Sequence, residues 1–202
     1  MHKKTFSRII ILLLPVLYGT NTYSQSNQEG LPIVVGYLGH YAIQPGIKIG
    51  TEIPFKTWEK ERTRKKGNIT RVKRFSVNPQ LAWFTRINQD ANYWLNAEVM
   101  YKVRNKERGF YTAFTAGVGY LLQSKVESFS VNLATGEKTN KQRASSHFLL
   151  PSLGFEFGGN LSSQLGWYNK YTWGQRFFSG NGNGSTMSVF VELGVKWYLF
   201  KN

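Results

Sequence analysis

The chain has no cysteine among its 202 residues. Disulfides, thiolate metal sites and a cysteine nucleophile are thereby excluded, and so is the acylated cysteine that anchors a lipoprotein. Acidic residues are scarce as well, 11 against 26 lysines and arginines, giving a formal charge of +15. Histidine occurs only at His2, His40 and His147, too scattered to suggest a metal cluster. Long apolar runs are also missing. Past the N-terminus no stretch approaches the roughly 20 residues that a membrane helix needs. With helices ruled out, only a closed barrel could carry this chain across a membrane.

Met1–Ser24 has the layout of a secretory signal: Lys3, Lys4 and Arg8, then apolar Ile9–Tyr18, then small Thr22 and Ser24 ahead of a cut before Gln25. Its apolar run is about half the length of a spanning helix, so export is expected and not anchoring. Residues 25–202 then form a single domain. Taking the three signal bases from the 26 leaves 23 against 11 acids, or +12 for the mature chain. In an exported protein that charge points to lipid phosphates and cell-wall polyanions, not to nucleic acid. Aromatic residues make up 15% and charged residues only 18%, a balance that suits a membrane-facing surface.

What the chain does have is alternation. In Ser185–Phe200 the apolar row is Met187, Val189, Val191, Leu193, Val195, Trp197 and Leu199; Ser188, Glu192, Gly194, Lys196 and Tyr198 take the other face. The same period runs through Tyr41–Phe55, Phe75–Ile87, Tyr93–Arg104, Phe110–Leu122, His147–Gly158 and Leu165–Phe177. It is blurred by Val34 and Leu38 in Leu31–Gly39, with a tight turn expected at Gly39-His40. These segments predict an all-β fold: a transmembrane antiparallel up-and-down β-barrel of eight strands, both termini on the periplasmic side. Gln123–Ser146, with a hairpin signal at Thr135-Gly136, and Ser179–Gly184 then face outward, and Asn105–Gly109 and Gly159–Ser163 form short periplasmic turns.

Lys56–Arg74 interrupts the pattern with nine bases against Glu59 and Glu61, a net +7. It reads as a solvated inter-strand segment, with a hold on lipid phosphates or peptidoglycan as the functional alternative. Pro45, Pro79 and Pro151 cannot donate to a ladder and predict strand ends or bulges.

If the apolar rows face lipid, the opposite rows meet inside. They bring in Lys48, Glu52, Glu98, Lys102, Glu156, Lys170, Glu192 and Lys196, with Arg104 and Arg176. An eight-stranded barrel is narrow enough for its own side chains to fill, so the expectation is a paired charge network that sets strand register. A narrow ion path or a buried acid–base dyad are the functional rivals. His147 beside Ser145 and Ser146 is the one His/Ser cluster, the pair a lipid acyl hydrolase would use. Adjacent strand residues point to opposite faces, however, which separates Ser146 from His147. Gly180, Gly182 and Gly184 precede a strand, not a helix, and so form no phosphate loop. A soluble periplasmic barrel with its apolar rows turned inward around a lipid, and its glutamates in water, would show the same alternation.

The chain resembles the small outer-membrane β-barrel proteins of the Bacteroidetes type, a broad OmpA-like group. The resemblance rests on the cut before Gln25, Tyr41–Gly50 (YAIQPGIKIG), Pro151–Gly158 (PSLGFEFG) and the aromatic terminal strand. The group's typical terminal strand ends on an aromatic residue, whereas here Lys201 and Asn202 follow Phe200. The resemblance implies a cell outer membrane barrel with no set activity, in contact with outer-membrane lipid and with the barrel-assembly machinery through the terminal strand. The expectation is therefore a non-enzymatic protein without cofactor, catalytic or metal site, in a structural or surface-interaction role with a surface or periplasmic protein partner left open.

Overall fold

The computed structural model of the chain describes residues 30–41, 44–64, 67–86, 90–107, 109–126, 143–178 and 185–199. The expected signal segment Met1–Ser24 and the Thr135-Gly136 tip lie outside them. The strands are β1 (Pro32–His40), β2 (Gln44–Thr51), β3 (Ile53–Arg64), β4 (Gly67–Arg86), β5 (Asp90–Asn105), β6 (Tyr111–Val126), β7 (Arg143–Asn160), β8 (Leu165–Phe178) and β9 (Ser185–Tyr198).

Every pairing is antiparallel. Sequence neighbours pair in order from β4 to β9, β9 pairs with β1, β1 with β2, and β2 with β4, so the sheet closes on itself. Strands β2 and β3 are two halves of one stave, parted only by Glu52, and both pair with β4. The result is an up-and-down barrel of eight staves, as the alternation predicts.

The three prolines explain part of this geometry. The β2–β4 ladder ends at Gly50 opposite Gln80, and β3–β4 begins at Ile53 opposite Val77, so Pro79 sits across from the break. Lacking an N–H, it loses no ladder bond there. On β7 the ladder with β8 stops at Leu149 opposite Phe177 and resumes at Ser152 opposite Gly174, and Pro151 lies in that gap. Pro45 is the second residue of β2.

Three sequence expectations need correction. Gly39 and His40 are not a turn. They end β1, and the chain turns only from Tyr41, whose φ is 51°. Asn88–Ala91, expected from the spacing between Phe75–Ile87 and Tyr93–Arg104 to be a short turn, is not one throughout, because Asp90 and Ala91 belong to β5. Lys56–Arg74 is not an inter-strand segment but a β-ribbon, in register from Lys56 opposite Phe75 to Arg64 opposite Gly67. Thr57, Trp58, Ile69, Thr70 and Val72 supply its strand propensity, and the dense charge masked the period of two. The upper strands are likewise longer than expected: the β6–β7 ladder continues to Val126 opposite Arg143.

The wall is inside-out relative to a soluble protein. Ile47, Phe114 and Leu153, on three different staves, are 60, 63 and 65% exposed, and Glu98, Lys170 and Glu192 are at most 1% exposed. Large apolar side chains are outward on every stave, far beyond the few hundred Å² of apolar patch a soluble monomer shows. This removes the soluble alternative, which required the reverse orientation.

Candidate functional site

The interior is layered. On the side of the β1–β2 turn lies an apolar plug of Leu38, Ala82, Phe84, Trp94, Leu121, Phe148, Leu150 and Phe190, all buried. Trp94 stacks on Phe190 with ring centroids 4.7 Å apart, and Phe84 meets Phe190 edge-on at 5.6 Å. Trp94 fits because its neighbour on β6 is Gly119, where a Cβ would lie 2.1 Å from the indole Nε1. Above the plug, the His40 ring bonds Gln44 through Nδ1 (2.7 Å) and Arg176 through Nε2 (2.8 Å). The Arg176 guanidinium also lies over the Phe148 ring.

Below the plug the structure brings together the eight charged side chains singled out in the sequence. They sit on β2, β5, β7, β8 and β9, with Glu52 at the β2–β3 break. Each alternates inward, and no acid lacks a lysine. Lys48 pairs with Glu192, and Lys170 reaches across to Glu98 at 2.5 Å. Lys102 and Lys196 both hold Glu52, and Lys196 also holds Glu156 at 2.5 Å. The four lysines and four glutamates cancel in charge. Polar neighbours take further lone pairs: Gln80 Nε2 and Asn96 Nδ2 donate to Glu98 (2.9 and 3.0 Å), and the Tyr111 hydroxyl donates to Glu156 (2.8 Å).

Two tyrosines complete the lower layer. The Tyr111 ring lies 4.6 and 4.8 Å from the ammonium groups of Lys102 and Lys196. Tyr168 lies 5.4 and 5.1 Å from those of Lys48 and Lys196. A desolvated cation gains about 2 kcal/mol on such a face. The alternation puts Tyr168 in the inward row with Lys170, but it does not show that either ring lies against the lysines, because contact across the lumen leaves no mark in a period of two. The alternation also assigns Arg176 to the network, but that residue belongs to the upper cap with His40. Arg104 is half-buried at the lower end. Removing only the hydroxyl, with Tyr111→Phe, is expected to cost about 1.5–3 kcal/mol, the range for a hydrogen bond to a charged group. Urea unfolding of the two proteins side by side would measure it.

His147 lies on the exposed face of β7, hydrogen-bonded through Nδ1 to the Tyr120 hydroxyl of β6, with ring centroids 5.8 Å apart. Ser146, opposite Gln123, points to the other side. The structure thus joins His147 to a tyrosine and not to that serine. Among the described residues no group of three or more His, Asp or Glu could hold a metal ion.

No protein-family model matches the chain, and no curated protein matches it in sequence. Several solved structures do. Neisserial surface protein A aligns over 84% of this chain and 96% of its own, at 7% identity and a TM-score of 0.48. The outer membrane enzyme PagL aligns over 84% and 99%, at 9% identity and 0.47. Ail of Yersinia pestis, an outer membrane protein in a phospholipid bilayer nanodisc, aligns over 84% and 100%, at 10% identity and 0.39. At these identities and scores no residue role or activity passes from them to this chain, and the resemblance to the Bacteroidetes-type group stands on the quoted segments alone.

Proposed function

We propose that this protein is a self-filled barrel of the cell outer membrane that acts through its two rims and not through its lumen, in a structural or surface-interaction role. The observation that carries this reading is the inverted wall: apolar side chains outward on every stave, with the interior charges paired among themselves. A lumen occupied by Phe84, Trp94, Leu121 and Phe190, each at most 1% exposed, has no room for a file of hydrated ions. The interior carboxylates and lysines are engaged in neutralising one another, which favours a register-setting role over acid–base chemistry.

Fractionation tests the location. The protein is expected in the outer-membrane pellet and, when extracted without boiling, to migrate differently from the boiled sample. Recovery in the soluble fraction would end the proposal. In planar bilayers the purified barrel is expected to give no current steps; discrete openings would replace this reading with a pore.

A further inference from the structure

The β3–β4 ribbon carries more than solubilising charge. Its cross-strand pairs put Lys56 opposite Phe75, Trp58 opposite Lys73 and Lys60 opposite Arg71, all on the outward face; Glu59 opposite Val72 and Glu61 opposite Thr70 take the other. Both acids of the ribbon thus share one face, together with Arg74 opposite Thr57, and four bases lie on the other. On the acid face Glu59 is already held by Lys106 at 3.2 Å. On the basic face Lys60 and Arg71 sit directly across from each other, an arrangement that destabilises a ladder unless an anion lies between them. Lysines that merely protect an open strand edge would not need to be sorted by face.

The same face is continuous with the lipid-facing wall. Phe55, Trp58, Phe75 and Tyr101 form one aromatic cluster there, with Phe75 and Tyr101 centroids 5.0 Å apart. Along β4 the outward residues from Phe75 to Trp83 cover roughly 20 Å of membrane height at ~3.4 Å per residue and a tilt near 40°, close to the apolar band of such a barrel. Lys73 and Arg71 then lie about 5 and 10 Å past its lower edge, at and just past the depth of the headgroups. Beside Arg71 an open cleft of about 250 Å³ is lined by Val103, Asn105, Phe110, Tyr111 and Thr112. It is smaller than the roughly 300–1,000 Å³ that encloses a whole ligand, and suits a group presented by a surface.

We propose that this face, Lys56, Trp58, Lys60, Arg71 and Lys73 with the adjoining cleft, binds the phosphodiester headgroups of anionic phospholipid in the periplasmic leaflet. The inference rests on the outer-membrane reading above. The charge is complementary, the depth matches, and Trp58 and Phe75 supply the apolar shoulder that a headgroup leaves beside its acyl chains.

The test uses the mature barrel refolded into vesicles of phosphatidylcholine with phosphatidylglycerol at 7:3, then extracted and weighed by native mass spectrometry with its retained lipid. Phosphatidylglycerol is expected to be enriched over its share of the vesicle. Each base removed is expected to lower that enrichment up to about fivefold, and Lys56→Gln with Lys60→Gln, Arg71→Gln and Lys73→Gln to abolish it. Lys56→Arg with Lys60→Arg and Lys73→Arg should keep it, and so should Lys125→Gln at the opposite rim. Should the fourfold variant not refold, enrichment on the unaltered protein must still fall as salt rises from 0.05 to 0.5 M, because surface attraction is screened. Equal retention of both lipids, enrichment that survives the fourfold substitution, or capture by purified cell-wall sacculi with no lipid preference would each overturn the proposal. A protein that inserts into these vesicles but shows no lipid preference loses this site and keeps its barrel. One that does not insert loses the outer-membrane reading itself.

Discussion

Replacing Lys196 with methionine is expected to destabilise the barrel by about 3–5 kcal/mol, the range for a buried charge left without its partner. Lys196 is 1% exposed and holds both Glu52 and Glu156. The two glutamates fare differently without it. Glu52 keeps Lys102, but the hydrogen-bond donor left to Glu156 among the described residues is the Tyr111 hydroxyl, which is neutral. A second substitution therefore separates charge balance from lost packing. Lys196→Met with Glu156→Gln should recover most of the loss, since Glu52 and Lys102 still match. Lys196→Met with Glu52→Gln should not, because it leaves Lys102 and Glu156 without their direct partners. Methionine preserves most of the lysine stem, so lost volume is a minor effect. The comparison pair is Lys106–Glu59 at 3.2 Å, with side chains 53 and 34% exposed. Lys106→Met should cost no more than about 1 kcal/mol. Urea unfolding in vesicles, read by tryptophan fluorescence and by the unboiled gel band, would order the variants. A Lys196→Met barrel as stable as the parent would mean that the network contributes nothing net.

Most of the inward charges were legible because outward apolar residues flank them: Glu98 lies between Ala97 and Val99, Glu192 between Val191 and Leu193. A period of two decides their face once the apolar row is assigned to lipid. The plug was not legible for the same reason. At its level both faces are apolar, so the alternation disappears into runs such as Trp83-Phe84, Leu121-Leu122, Phe148–Leu150 and Val189–Val191. Leu38, which blurs the first strand, is one of its members. Such a run inside an otherwise alternating strand marks where a barrel is filled with side chains as greasy as the lipid outside. The β2–β3 break could be read only indirectly, from its partner strand. Its visible trace is Pro79, which lies on the partner strand about thirty positions away in the chain. The basic ribbon hid its strand character because charge occupied both faces; only pairing showed that the acids share one face and leave the other to bases.

Gly194→Ala is expected to damage the closing seam of the barrel severely. β1 and β9 close the ring, and Gly36 lies opposite Gly194 in that seam. A Cβ on Gly194 would sit 2.4 Å from the Val35 carbonyl oxygen and 2.7 Å from the Gly36 Cα, both backbone atoms of the facing strand, and 2.6 Å from the Tyr168 ring. Backbone cannot move aside without opening ladder bonds, so the cost should exceed the roughly 1–3 kcal/mol of ordinary overpacking. Gly194→Val should yield no closed barrel on an unboiled gel. Gly36→Ala makes the instructive contrast. Its Cβ would meet chiefly a side chain, the Tyr168 hydroxyl at 2.3 Å, with the Leu193 carbonyl at 3.0 Å. Adding Tyr168→Phe removes that hydroxyl, so it should rescue Gly36→Ala while leaving Gly194→Ala as defective as before. Rescue of both by Tyr168→Phe would place the conflict in the tyrosine and not in the seam. Rescue of neither would mean that the β1–β9 backbones approach too closely at both positions for any Cβ, with ring closure resting on the glycine pair itself.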